Sequence, residues 1–235
     1  MTDTLLSVLY PQRCPACRDV IENDGSLIHD ECRKLFRIIA APRCFKCGRH
    51  IEDSETALCP ECSKKNHSYD YGFAALEYNS TAKKAMTDFK FNGWRQNSDY
   101  FAETAARAIG NELKAYSPEV LVPVPVTGRR LHERGFNQAE LLAKKLGLLL
   151  NIPVDAGLLV KEANKNVQQK KLSARERNVN ARLAFECAGS GGYHRVCIVD
   201  DIYTTGSTVD SCAVALKKAG IAEVGFVAIC AGNIY

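Results

Sequence analysis

Long apolar runs are missing from this chain: uninterrupted stretches such as Leu5 with Leu6, or residues 148–150, span only a few positions. A membrane-spanning helix needs ~20 apolar residues, so no insertion is expected. Residues 1–10 carry Leu5, Leu6, Val8 and Leu9 but lack a basic n-region and a small-residue cleavage site. They do not read as a secretory signal, and a cytoplasmic location is expected. A strong charge of one sign is also absent; a net +4 over 235 residues does not by itself announce nucleic acid. No Ser/His/Asp nucleophile constellation is visible either. What remains, 46% apolar and 25% charged residues, is an ordinary soluble composition that excludes global disorder and collagen-like repeats. The length suits one large domain, or a large one with a small companion.

Charge and cysteine are both unevenly spread. Residues 1–70 hold 10 Lys/Arg against 11 Asp/Glu, whereas residues 161–182 hold seven against two. That basic segment has helix formers but no apolar face, so it reads as a mobile loop or arm that meets something anionic. Seven of the eleven cysteines fall in the first 62 residues. An exported disulfide scaffold would be smaller and would carry an export signal, so the cysteine-rich end points to metal in a reducing compartment.

Shifting the N-terminal cysteines by 30 positions lays Cys14 on Cys44, Cys17 on Cys47, His29 on Cys59 and Cys32 on Cys62. The unit is C-x2-C-x11-[HC]-x2-C, occurring twice. Four thiolate or imidazole donors make the tetrahedral shell that zinc prefers, and four protein ligands leave a closed, structural site. Sequential sites (14/17/29/32 and 44/47/59/62) and a cross-braced pairing use the same residues. Buried free thiols are the plain alternative, and His29 is an incidental surface residue if the repeat is not meaningful. A module this small buries little apolar surface, so metal would supply most of its folding free energy.

Beyond Cys62 the polar run 63–70 reads as a linker, and a domain boundary is expected there, with residues 1–66 as the metal module and 70–235 as the second domain. Residues 76–78 suggest a short strand, 82–91 a helix broken at Asn92-Gly93, and 100–115 a helix stopped by Ser117-Pro118. Residues 120–126 are β-branched, with Pro123 and Pro125 limiting the strand to its first part. Helical spacing over 137–150, an extended stretch over 153–160, a strand over 196–199, a helix over 207–219 and a strand over 224–229 complete an alternation that argues for a largely parallel α/β sheet flanked by helices.

Residues 196–208 read VCIVDDIYTTGST. A buried strand delivers Asp200 and Asp201 to its carboxyl end, where open α/β sheets bind ligands. A turn with Gly206 and the hydroxyls of Thr204, Thr205, Ser207 and Thr208 then opens a helix whose first N–H groups favour an anion. The spacing suits a phosphate beside a polyhydroxyl group, the outline of ribose 5-phosphate.

This stretch resembles the signature of type I phosphoribosyltransferases. The resemblance implies that Thr204, Thr205, Gly206, Ser207 and Thr208 hold the 5-phosphate of phosphoribosyl pyrophosphate (PRPP). It implies too that Asp200 and Asp201, as the catalytic acids, bind the ribose hydroxyls directly or through Mg²⁺-bound water. Residues 123–138 look like the pyrophosphate-side loop, with Arg129 and Arg130 as anion contacts. The basic arm with Lys170, Lys171, Arg175 and Arg177 stands where these enzymes carry a flexible loop that closes over pyrophosphate. Together with the Lys90-Phe91-Asn92-Gly93 patch, the Arg134–Gln138 run and the paired cysteines, these motifs resemble the ComF/GntX family, a type I phosphoribosyltransferase fold preceded by a double zinc ribbon; His29 replaces that family's usual Cys. The resemblance implies two structural zinc ions, Mg²⁺ with PRPP, transfer of the phosphoribosyl group to an unknown acceptor, and a setting in competence and DNA uptake; in other bacteria the family is linked to gluconate use. A non-catalytic reading keeps the pocket as a PRPP sensor, with ribbons and arm engaging single-stranded DNA or a competence helicase.

Other residues carry weaker signals. Trp94 beside Arg95 suits either base stacking or a hood or core aromatic, and the hood segment 78–94 is expected to select the acceptor. Cys187, Cys197, Cys212 and Cys230 read as packing thiols. His50, His67, His132 and His194 read as surface residues.

Overall fold

A computed structural model describes residues 11–22, 24–161, 185–189 and 191–232. A four-residue helix α1 (Asp30–Arg33) lies in the cysteine-rich region. It is followed by β1 (Tyr71–Glu77), α2 (Ser80–Phe91), α3 (Asn97–Tyr116), β2 (Val120–Pro123), α4 (Gly128–Arg134) and α5 (Gln138–Leu150). Then come β3 (Leu159–Lys161), β4 (Phe185–Cys187), β5 (Arg195–Tyr203), α6 (Ser207–Lys218) and β6 (Glu223–Ala231). The main sheet runs β1-β6-β5-β2, parallel at every joint, and β3 pairs antiparallel with β4. No described helix is long and apolar enough to cross a membrane.

Parallel strands buried on both faces read as near-continuous apolar runs, and here alternate residues split between two cores. Val120, Val122, Val196, Ile198 and Phe226 face α6 through Val209, Cys212 and Leu216. Leu121, Cys197, Val199, Val227 and Ile229 face α2, α3 and α5 through Phe89, Phe101, Ile109 and Leu146. Each large apolar side chain of this kind contributes about 1.5–3 kcal/mol on burial. The packing reading of Cys197, Cys212 and Cys230 agrees with their full burial, while Cys187 is only half-buried.

The cysteine-rich end is built into the sheet rather than tethered to it. Ile38 bridges antiparallel to Leu76, with Ile39 N–H donating to Ala75 O (2.9 Å) and Glu77 N–H to Arg37 O (2.9 Å), so this stretch covers the β1 edge. From that edge the two cysteine clusters diverge. Cys14 and Cys32 join the core on the α2–α3 face, and Cys44, Cys47, Cys59 and Cys62 join the core on the α6 face. The same knuckle position is left-handed in both copies, φ 76° at Arg18 and 71° at Gly48. Only Gly48 presses on β1, where an added Cβ would lie 2.5 Å from Ala74 N. Arg18 instead reaches Asp88 of α2, whose side chain is 1% exposed, through a bidentate pair at 2.9 and 2.8 Å.

The run 63–70, expected as a linker, is docked. Asp70 N–H donates to Val224 O (2.7 Å), Tyr69 is fully buried, and His67 Nδ1 lies 2.8 Å from Asp210 Oδ2. His67 is therefore no surface residue, because its imidazole is buried against half-buried Asp210 on α6; His50, His132 and His194 are exposed as expected. Strand β1 begins five residues before the short strand expected at 76–78. Its Tyr-Gly-Phe-Ala-Ala start has weak β-pattern and is held by pairing with β6. Helix α4, within the stretch expected as a loop, is capped by Thr127, whose Oγ1 accepts from Arg130 N–H, and by left-handed Gly135.

Candidate functional site

Strand β5 carries Asp200 and Asp201 to the carboxyl edge of the sheet, beside a cavity of about 330 Å³. Its walls include Lys90 from α2, Arg130 and Arg134 from α4, Lys161 from β3, both aspartates, Thr204 and Thr208. A small cradle of about 30 Å³ adjoins it, lined by Asp200 and by residues of the run 202–209, Thr205, Gly206 and Ser207 among them. Gly206 is required twice over: its φ is 79°, and a Cβ there would lie 2.7 Å from the Tyr203 hydroxyl. Thr205 Oγ1 and Ser207 Oγ are 2.9 Å apart, and α6 starts at Ser207, so hydroxyls and the first helix N–H groups, which have no partner within the helix, line one turn.

Electrostatically the cavity is cationic, with four basic side chains facing two carboxylates. Lys90 Nζ pairs with Asp201 Oδ1 at 2.7 Å. Asp200 Oδ1 accepts from Asp201 N–H at 2.9 Å. Burial, then the neighbouring Asp201 charge, pushes the Asp200 carboxyl up to about 7. Burial and the facing Arg130 charge hold both Lys161 and Arg134 below their ordinary ranges. Arg134 Nη1 donates to Gln138 Oε1 (2.8 Å), and its guanidinium lies 4.7 Å over Phe91. Cations crowded together in a partly buried wall are relieved by an anionic ligand.

The structure thus brings together Asp200, Asp201, the 204–208 turn and Arg130. Arg129 stays outside the cavity, with its side chain 87% exposed and its Nε donating to Glu133 Oε1. Lys170, Lys171, Arg175 and Arg177 lie outside the described residues. Trp94 does not line the cavity; Arg18 of the first cysteine cluster lies 6.0 Å over its ring. Three cavity residues carry no individual signal in the sequence: Lys90 stands within a patch, Arg134 within a run, and Lys161 at the first position of the basic arm. Only the fold, through α2, α4 and β3, brings them to Asp200.

At the other end of the chain, the eight cysteine and histidine donors form two groups, 14/17/29/32 and 44/47/59/62, the donor atoms of each group all lying within 4.8 Å of one another. The sequential pairing holds, and the cross-braced one does not. Tetrahedral zinc with Zn–S near 2.3 Å implies sulfurs about 3.8 Å apart, and Cys47 Sγ and Cys59 Sγ are 3.8 Å apart. In the first group His29 Nδ1 lies 3.3 Å from Cys17 Sγ while Nε2 lies 3.2 Å from Val20 O. A proton on Nε2 satisfies that carbonyl and leaves Nδ1 free for the metal. Both donor sets fit zinc.

Residues 5–65 match the double zinc ribbon domain family and residues 99–235 the phosphoribosyl transferase domain family. Over 222 residues the chain is 32% identical to competence protein F of Haemophilus influenzae, covering 90% of this chain and 93% of that one. It is 39% identical over 208 residues to the DNA utilization protein YhgH of Salmonella typhi, covering 80% and 89%. With competence protein ComFC of Bacillus subtilis it shares 29% over 202 residues, covering 80% and 77%. Because the phosphoribosyl transferase domain takes up more than half of the chain and these relatives align along most of their own lengths, the chain belongs to the ComF family of phosphoribosyltransferase-like proteins.

Proposed function

We propose that this protein binds PRPP with Mg²⁺ in the cytoplasm and transfers its phosphoribosyl group to an acceptor during the handling of DNA. One observation carries the reading: the paired acids line a cavity whose cations outnumber its carboxylates, and the 204–208 turn forms an adjoining cradle that shares Asp200, Thr204 and Thr208 with it. The turn 204–208 would hold the 5-phosphate, Asp200 and Asp201 the ribose hydroxyls, and Arg130 with Lys161 the pyrophosphate. Transfer breaks the C1–oxygen bond to pyrophosphate, which departs with the electron pair, while the acceptor forms its bond to C1. The chain's own residues position the sugar and stabilise the departing charge. The carboxylate oxygens of Asp200 and Asp201 are the hard donors that suit Mg²⁺, which supplies charge neutralisation at the pyrophosphate when bound. The names carried by the relatives, competence protein and DNA utilization protein, support the DNA setting.

Isothermal titration with PRPP and Mg²⁺ tests this reading; absence of binding ends it. Affinity is also expected to depend on pH. Binding to hydroxyls or Mg²⁺ needs Asp200 ionised, and burial beside Asp201 raises its carboxyl to about 7, with Lys90 and Lys161 opposing the shift. Affinity at pH 6 should therefore be about tenfold weaker than at pH 8, and Asp200→Asn should flatten that profile. Release of pyrophosphate in the presence of an acceptor separates transfer from sensing.

A further inference from the structure

We propose that Arg49 is a positioning residue of the phosphate loop, through which the second zinc ribbon aims a backbone N–H at the ligand's phosphate. The inference rests on the phosphoribosyl reading of that loop. Arg49 belongs to the Cys44–Cys47 knuckle: Cys44 N–H donates to Arg49 O at 2.7 Å, and Gly48 N–H to Cys44 O at 2.8 Å. Its side chain, 7% exposed, crosses to the second domain, where Nη2 donates to the carbonyl of Thr204, 155 residues away. Its guanidinium stacks 5.0 Å over Tyr203, the residue before the loop. Nη1 pairs at 3.1 Å with Glu61, which sits between Cys59 and Cys62 in the opposite knuckle. The guanidinium therefore leaves one knuckle of the second donor group and is paired by the other.

In a trans peptide the carbonyl of Thr204 and the N–H of Thr205 point in opposite directions within one plane. Arg49 lines neither the cavity nor the cradle, whereas Thr205 lines the cradle. Holding the carbonyl from behind turns the Thr205 N–H forward, toward the place of the phosphate. A second brace acts at the same point, because the Tyr69 hydroxyl, just beyond the ribbon, lies 2.7 Å from the Tyr203 hydroxyl. Without zinc the knuckles lose their common anchor and the Arg49–Glu61 clamp loses its register. Zinc and sugar phosphate are then linked ligands, each raising the affinity of the other by the same factor.

Ribose 5-phosphate is the probe, with the zinc-loaded chain. Arg49→Met should keep two zinc ions per chain and bind ribose 5-phosphate about tenfold more weakly, the worth of one charge-assisted hydrogen bond. Arg49→Lys should recover part of the loss, and pyrophosphate alone should bind both variants as it binds the wild type. In the wild type, saturating ribose 5-phosphate should raise the apparent affinity of one of the two zinc sites about tenfold in equilibrium competition with a chelator. If Arg49→Met fails to fold, Glu61→Gln, at a half-buried partner of Arg49 that is not a zinc ligand, decides the matter by the same loss of ribose 5-phosphate affinity with both zinc ions kept. A wild type that binds the sugar phosphate while Arg49→Met binds it equally well, or while zinc affinity stays unchanged, overturns the coupling alone. A wild type that binds no sugar phosphate overturns the phosphoribosyl reading and the coupling with it.

Discussion

Stripping zinc from the second ribbon is expected to unfold the chain, while emptying the first is expected to leave the sheet assembled. Cys44, Cys47, Cys59 and Cys62 are all buried, at most 5% exposed, in a core shared with Tyr69, Val122 and Phe226. The first site contains exposed Cys17 and a half-buried imidazole, so a chelator reaches it first. Zinc sites of this type carry apparent binding free energies of about 10–16 kcal/mol, comparable with the whole stability of a domain, about 5–15 kcal/mol. A chelator titration followed by metal analysis and far-UV circular dichroism should therefore show two steps. The first equivalent leaves with the helical signal intact, and the signal collapses with the second. Cys47→Ser should destabilise by about 4 kcal/mol or more, at the far end of single-substitution effects. Loss of both ions with an unchanged spectrum would contradict this assignment of roles to the ribbons.

Replacing Asp200 and Asp201 together by Asn should weaken PRPP binding by about 10²–10⁴-fold, because two charge-assisted contacts of about 1.5–3 kcal/mol each are removed. Titration calorimetry measures the loss. Stability should move the other way in the single variant Asp200→Asn. The folded-state carboxyl titrates near 7, above its ordinary value of 3.8, because it is buried beside Asp201. Between those two values the folded chain keeps a proton that the unfolded chain has released, so this group's contribution to stability falls as pH rises and is gone above about 7. Thermal unfolding of Asp200→Asn at pH 8 should therefore occur above that of the wild type, and the gap should narrow toward pH 4. A site that costs stability in exchange for binding behaves in this way.

The sequence disclosed what is local. The repeat of Cys14-x2-Cys17 at Cys44-x2-Cys47, and the run of acids, threonines and glycine from Asp200 to Thr208, are each confined to a few turns of chain, and each keeps its spacing in space. The helices over 138–150 and 207–218 begin within one residue of where apolar spacing and caps place them. Legibility fails where a residue's role depends on a distant partner. Lys90 gains its meaning from Asp201, 111 residues away, and Arg49 from Thr204. His67 reads as a polar surface residue until Asp210 of α6 is brought beside it. Most of all, nothing in the cysteine spacing says that the two ribbons part at the β1 edge and pack on opposite faces of one sheet.

The most direct test is a crystal structure of the zinc-loaded chain with PRPP and Mg²⁺. The 5-phosphate should lie in the turn 204–208, with the ribose hydroxyls toward Asp200 and Asp201 and the pyrophosphate toward Arg130 and Lys161. An empty turn at saturating ligand, or a ligand bound elsewhere, would contradict the assignment of this site.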